Sequence, residues 1–443
     1  MPSRNRYGAP FSSVVRSGDI LDLCSELGIS YRSRIFDPAS TIYTWMNRTV
    51  SQDHSCRQAV SRVSAYHAAQ GQSVSVSTGA YTQARQRLST DLIVGLAKKL
   101  ARELEDECIG HSPLNRPIFF VDGSGLSAPD TESNQEAFPR MKWTKPDLGF
   151  PTLRVVFMTS LTTGAVIDLR MAPQYGKGTG ENTLFLNMFD TLRLGDVVVG
   201  DRAYESYWHR HLLRELGVDS VFRAKTRLDP HCPRLETLGR GDWLVEQTRP
   251  RNKPLWVNKL SDFPPRASVR IASLRLGVGK YLYLRSTLRE GTRGDLLSLY
   301  ERRWDIETDI LALKVSLGME ILRCKTAEML EKEAWVSILT YNAIRVLMAR
   351  AAARAGVQPR ELSYKGAMQT ITAYGPRMDL AGERDAEKLM NHMLDAIACH
   401  KVRNRPGRAE PRLTKRRRKE IQLLMVPRSV ARSRLRNGRY QDK

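Results

Sequence analysis

Two short apolar runs, each leading straight into an aspartate, constrain this chain more than any other feature. P-I-F-F-V at 117–121 ends at Asp122-Gly-Ser-Gly, and D-V-V-V-G at 196–200 ends at Asp201-Arg-Ala-Tyr. Apolar runs this short, bounded by turn formers, read as buried strands rather than helices. Between them, 153–161 and 165–171 flank Thr162-Thr163-Gly164 as a hairpin, and 181–192 has helical spacing. A helix over 205–216 and a fifth strand over 219–224 follow. The order strand, strand, strand, helix, strand, helix, strand defines an α/β fold. If the first and fourth strands are neighbours, Asp122 and Asp201 emerge together at one edge of the sheet.

The flanking segments differ in character. Residues 15–110 show helical periodicity, and 81–88 reads as a basic amphipathic helix that either touches DNA or packs against the rest. From 226 to 290 the chain turns to short alternating pieces at 242–246, 254–257, 269–276 and 281–284, an antiparallel β insertion. An apolar helix is expected from 331 to 353. The expected divisions are 1–110, helical and DNA-binding; 111–225, first part of the α/β core; 226–290, β insertion; 291–355, end of the core; and 356–443, a helical basic region. Of the last 43 residues, 16 are Lys or Arg, including Lys415-Arg416-Arg417-Arg418-Lys419. Such a block is either a nucleic-acid arm or a solvated tail.

Charge narrows the partner. With 70 basic against 47 acidic side chains, the formal charge is +23 and the pI about 10.0, so the surface attracts polyanions. The 41% hydrophobic content is enough for packed domains, so disorder does not explain the charge. No apolar segment is long enough for a signal peptide or a membrane helix, which suggests a cytoplasmic, nucleoid-associated protein and no membrane partner. Cys24, Cys56, Cys108, Cys232, Cys324 and Cys399 are scattered, without zinc or disulfide-framework spacing, and read as reduced thiols. His54 with Cys56, and His231 with Cys232, lack a second pair at metal-ligand distance.

The stretch 300–314, Y-E-R-R-W-D-I-E-T-D-I-L-A-L-K, has the composition of a helix. At about 100° per residue, Arg303, Glu307 and Lys314 fall within roughly 60° of Tyr300. A carboxylate flanked by cations on one stripe suits a divalent metal held beside phosphates, although it also occurs in ordinary salt-bridged helices. Two-metal phosphoryl transfer needs at least three carboxylates converging on ions about 3.5 to 4 Å apart. Asp122, Asp201 and Glu307 are the candidates. Asp305 and Asp309 point away from Glu307 and read as solvated, and Asp130 and Glu181 as loop or cap residues.

Asp122 in F-F-V-D-G-S, Asp201 in V-V-V-G-D-R-A-Y, and the spacing Tyr300-(2)-Arg303-(3)-Glu307-(6)-Lys314 resemble the DDE-class bacterial insertion-sequence transposases, in the insertion sequence four branch with its Tyr-Arg-Glu-Lys signature. The resemblance covers roughly 117–350. It implies a ribonuclease-H-like core in which Asp122, Asp201 and Glu307 bind two Mg²⁺ or Mn²⁺ ions. Tyr300, Arg303 and Lys314 would contact phosphates near the cleaved end. It also implies double-stranded DNA partners, the terminal inverted repeats and the target, and a homodimer in the synaptic complex. The family often stacks a flipped base on a Trp, but K-Y-L-Y-L-R at 280–285 has none, which leaves Tyr281 as the stacking candidate. The rival readings are a DNA-binding protein that does not cut and a metal-dependent nuclease that does not join strands. A tyrosine or serine recombinase fits less well, because Tyr300 lies among carboxylates.

Overall fold

The computed structural model describes residues 7–140, 149–225, 232–255, 257, 263–402, 426 and 428–437. His231 and the basic run 415–419 lie outside the described residues.

The chain opens with five helices: α1 (Ser17–Glu26), α2 (Pro38–Val50), α3 (Cys56–Ala68), α4 (Gly79–Arg87) and α5 (Thr90–Glu107). Local chemistry sets their starts. The Asp37 carboxylate accepts from the Ser40 amide ahead of Pro38 in α2, and Ser89 accepts from the Asp91 amide in α5. The basic helix expected at 81–88 is α4, yet Arg85 is buried, its guanidinium 4.9 Å from the Trp45 ring and 5.0 Å from that of Tyr81. That cation serves packing rather than solvent.

The α/β part begins with β1 (Ile118–Ser127), then α6 (Glu132–Ala137), β2 (Thr152–Ser160), β3 (Val166–Pro173), α7 (Glu181–Leu186), β4 (Val197–Gly200), α8 (Tyr207–Glu215) and β5 (Asp219–Arg223). Phe119, Phe120, Val198 and Val199 are fully buried. This is why these runs carry no polar alternation. After β5 come β6 (Arg234–Gly239), β7 (Asp242–Thr248), β8 (Arg266–Gly277) and β9 (Lys280–Ser286). Among the described residues the sheet has the order β3-β2-β1-β4-β5-β9-β8-β7-β6, with β1, β4 and β5 parallel and every other pair antiparallel. β9 pairs with both β8 and β5, so the antiparallel excursion is continuous with the central sheet.

Two local expectations differ. The described residues of the piece at 254–257 show no strand: Leu255 lies in a turn and Val257 is helical, while Trp256 lies outside the described residues. β6 was not foreseen, because every one of its residues is exposed and no apolar face marks it.

α9 (Arg293–Glu301) starts on a capping box formed by Thr292 and Asp295, and α10 (Trp304–Leu311) follows. The entry to α9 is fastened from the excursion. The buried Arg270 guanidinium pairs with Asp242 at 2.7 Å and donates to the carbonyls of Arg289 (3.2 Å), Glu290 (3.1 Å) and Gly291 (2.9 Å).

The apolar helix expected at 331–353 is α11 (Ala327–Ala355), closed by Gly356 in the left-handed conformation. α12 (Tyr364–Leu380), α13 (Glu383–Cys399) and α14 (Arg428–Arg436) complete the chain. α11 packs on α5, α2 and α13, and the buried Asn342 side chain ties it to the Val166 backbone and the Ala97 carbonyl. One hydrophobic cluster runs from Tyr7 through the sheet to Ile397.

Candidate active site

β1 and β4 run parallel with Val121 opposite Gly200, so Asp122 and Asp201 occupy the next positions at the same end of neighbouring strands. Gly200 permits that closeness, since a methyl group there would meet Val121 at 2.9 Å and the Phe222 ring at 3.0 Å. Beyond the strand, an Asp201 oxygen accepts the Ala203 amide at 2.7 Å, the side-chain turn that ends β4.

α10 packs against β1 and β2 and brings the third acid. Arg303, at its N-terminal cap, lies 3.7 Å from an Asp122 oxygen and 3.2 Å from a Glu307 oxygen, so one guanidinium bridges the strand acid and the helix acid. Its Nε is buried without an acceptor. The cation also sits 6.0 Å from the Tyr300 ring and 5.4 Å from that of Trp304. Burial raises the Asp122 pKa to about 6; the Gly123 amide and Arg303 oppose the rise, while Asp201 and Glu307 add to it.

The stretch 300–314 is not one helix. A break at Arg302–Arg303 separates α9 from α10, and residues 312–316 form a π turn. Tyr300 therefore belongs to the last turn of α9 and Lys314 to the π turn. Lys314 Nζ reaches back to β1, 3.4 Å from the Ser124 hydroxyl, and lies 3.6 Å from Glu320. Tyr281 stands apart on β9, half exposed, stacked on Tyr283 with ring centroids 6.0 Å apart.

Two readings of nearby acids need correction. Asp309 does face away from Glu307, but it is fully buried rather than solvated. It pairs with Arg345 at 2.6 Å and Arg360 at 2.8 Å and accepts the Tyr341 hydroxyl at 3.2 Å. That side of α10 is covered by α11. Glu181 is not a cap residue: the Gly180 carbonyl takes the amides of Thr183 and Leu184, while the Glu181 carboxylate lies over Gly123, beside Asp122. A glycine directly after Asp122 was the one sequence sign of that approach. Asp305, by contrast, is partly exposed and pairs with Arg302.

Among the described residues no three His, Cys, Asp or Glu side chains stand close enough to hold a metal ion. The donor set nonetheless suits a hard divalent cation: oxygen ligands only, several carboxylates, and one whose ionisation is disfavoured until a cation arrives. No described helix is long and apolar enough to cross a membrane.

Residues 113–343 match the family model described as "Transposase DDE domain". The chain is 26% identical over 365 residues, 77% of each sequence, to transposase InsG of insertion sequence element IS4 from Escherichia coli K12. A solved piggyBac transposase synaptic complex with hairpin DNA aligns with 90% of this chain and 86% of its own, at 12% identity and a TM-score of 0.41.

Proposed function

The chain belongs to the transposase DDE domain family, in its insertion sequence four branch, and so is a DNA transposase; from that premise we propose that Asp122, Asp201 and Glu307 are its catalytic acids. The observation that carries this reading is the bridge of Arg303 between Asp122 and Glu307, residues far apart in sequence, beside the strand end that also delivers Asp201. The order β3-β2-β1-β4-β5, with acids at the ends of β1 and β4, supports a ribonuclease-H-like core split by the excursion at 226–290. The three acids would hold two Mg²⁺ or Mn²⁺ ions, which when bound supply Lewis acidity at the scissile phosphate and a nucleophile at neutral pH.

The chain's own groups orient the DNA. The planar fork of Arg303 matches a phosphate better than two carboxylates at unequal distance, so incoming backbone draws it away from Asp122 and Glu307. Lys314 on the π turn and the Tyr300 phenol complete a phosphate cradle. Water displaces the 3′-oxygen of the cleaved strand, and the released 3′-hydroxyl then attacks a target phosphodiester. Tyr281 is the proposed base-stacking residue. Two chains joined on paired transposon ends in the nucleoid would carry out the joining.

The test is cleavage of terminal inverted-repeat DNA with Mg²⁺. Asp201→Ala and Glu307→Ala should lower the rate by more than roughly 100-fold, beyond the loss usual for outer-shell partners, and leave end binding intact. Either variant still cutting at the parental rate refutes the assignment. Joined products separate a transposase from a nuclease that cuts without strand transfer.

A further inference from the structure

Glu181 opens α7 and lays its carboxylate on the backbone of β1 next to Asp122. A methyl group on Gly123 would come within 2.7 Å of its Cδ and Oε1 and 3.1 Å of its Oε2. The position is kept clear by the absence of a side chain. Among the described residues this carboxylate accepts no hydrogen bond and joins no ion pair. The residue is half-buried, which leaves its oxygens open to a ligand.

Tyr204, three residues past Asp201, gives an independent sign of a ligand. It is 1% exposed, and its hydroxyl is buried without a hydrogen-bond partner. The Phe185 ring of α7 holds it edge-on at 5.4 Å. The charged groups around its phenol are Glu181, Asp122, Asp201 and Arg154. Burial first, and then the three acids, push its pKa upward, so the hydroxyl keeps its proton and remains a donor. A buried donor without an acceptor is costly, and here it stands among three acids, of which Glu181 has no partner among the described residues.

We propose that Glu181 is a fourth acidic ligand of the divalent-cation site, and that the Tyr204 hydroxyl donates to an oxygen in that cation's ligand shell. This rests on the assignment of Asp122, Asp201 and Glu307 above. Four carboxylates match the charge of two divalent ions, and oxygen ligands are what such hard cations take. Arg303 lies between Asp122 and Glu307. The ligand set closes when a phosphate takes the guanidinium away.

The experiment is Mn²⁺ titration of the full chain bound to uncleaved end DNA, read by the spin-resonance signal of free Mn²⁺, with end-DNA affinity measured in parallel. Glu181→Gln should weaken Mn²⁺ binding by roughly tenfold or more while DNA affinity holds. Tyr204→Phe removes only an unpartnered hydroxyl, so it should fold as the parent does and weaken Mn²⁺ binding several-fold. Asp122→Asn is the control. If it loses Mn²⁺ while Glu181→Gln and Tyr204→Phe bind as the parent does, the fourth ligand is refuted and the three acids stand. If Asp122→Asn also binds Mn²⁺ normally, the three-acid assignment falls and this inference falls with it. Should Glu181→Gln fail to fold, Tyr204→Phe decides alone, and parental Mn²⁺ affinity there overturns the proposal.

Discussion

A carboxyl group whose pKa is raised to about 6 in the folded chain, against 3.8 ordinarily, is ionised at neutral pH at the expense of stability. Between those two values the folded state holds a proton that the unfolded chain has released. Stability from this group is therefore greatest below the ordinary value and falls as pH rises through about 6, by at most roughly 3 kcal/mol. Asp122→Asn should accordingly raise the melting temperature of the metal-free, DNA-free chain by a few degrees near pH 8, and the gain should vanish near pH 4; scanning calorimetry at both pH values decides it, and an equal gain at both would contradict the cause given. Asp122 was legible in sequence because an apolar run stopped at it. Glu181 was not, because its position depends on the space over Gly123, which only the folded backbone reveals.

Asp309 shows at the level of an element what a helical wheel can and cannot tell. The wheel put it opposite Glu307, which holds, and assumed water on that side, where α11 stands with Arg345 and Tyr341. The ion pairs of Asp309 fix the roll of α10 and with it the direction of Glu307. Asp309→Ala would leave the buried Arg345 charge uncompensated and should cost about 3 to 5 kcal/mol, measured by urea unfolding. A loss under about 1 kcal/mol, the range of surface pairs, would show the network to be incidental. The apolar stretches Ile118–Val121 of β1 and Val197–Gly200 of β4 were legible because burial removes polar residues from them. The break at Arg302–Arg303 and the π turn were not, since their residues are ordinary helix formers and tertiary contacts set the change of phase. β6 escaped notice for the opposite reason, having no buried face.

For the whole molecule, periodicity made a helical N-terminal segment legible but not its dependence on the rest. α5 turns Leu92, Ile93, Leu96, Ala97, Leu100 and Leu104 into the cluster that continues through α11 and the sheet. Removing the sheet would expose that stripe to water at roughly 25 cal/mol per Å². A fragment of residues 1–110 should therefore lack a cooperative thermal transition, and a sharp one seen by circular dichroism would prove that the segment stands alone. The rivet of Arg270 has a further consequence for the molecule's history. Because the excursion leaves from β5, returns beside it through β9, and is pinned at residues 289–291 before α9, the turn between β8 and β9 lies beyond that fastening. Evolution or an engineer can lengthen or trim the open β8–β9 turn at Gly277–Gly279 without disturbing the aim of the acids, whereas a residue added at Gly241, which backs onto Ser273 next to the Asp242 that holds Arg270, or between Arg289 and Gly291 would throw the whole machine out of alignment.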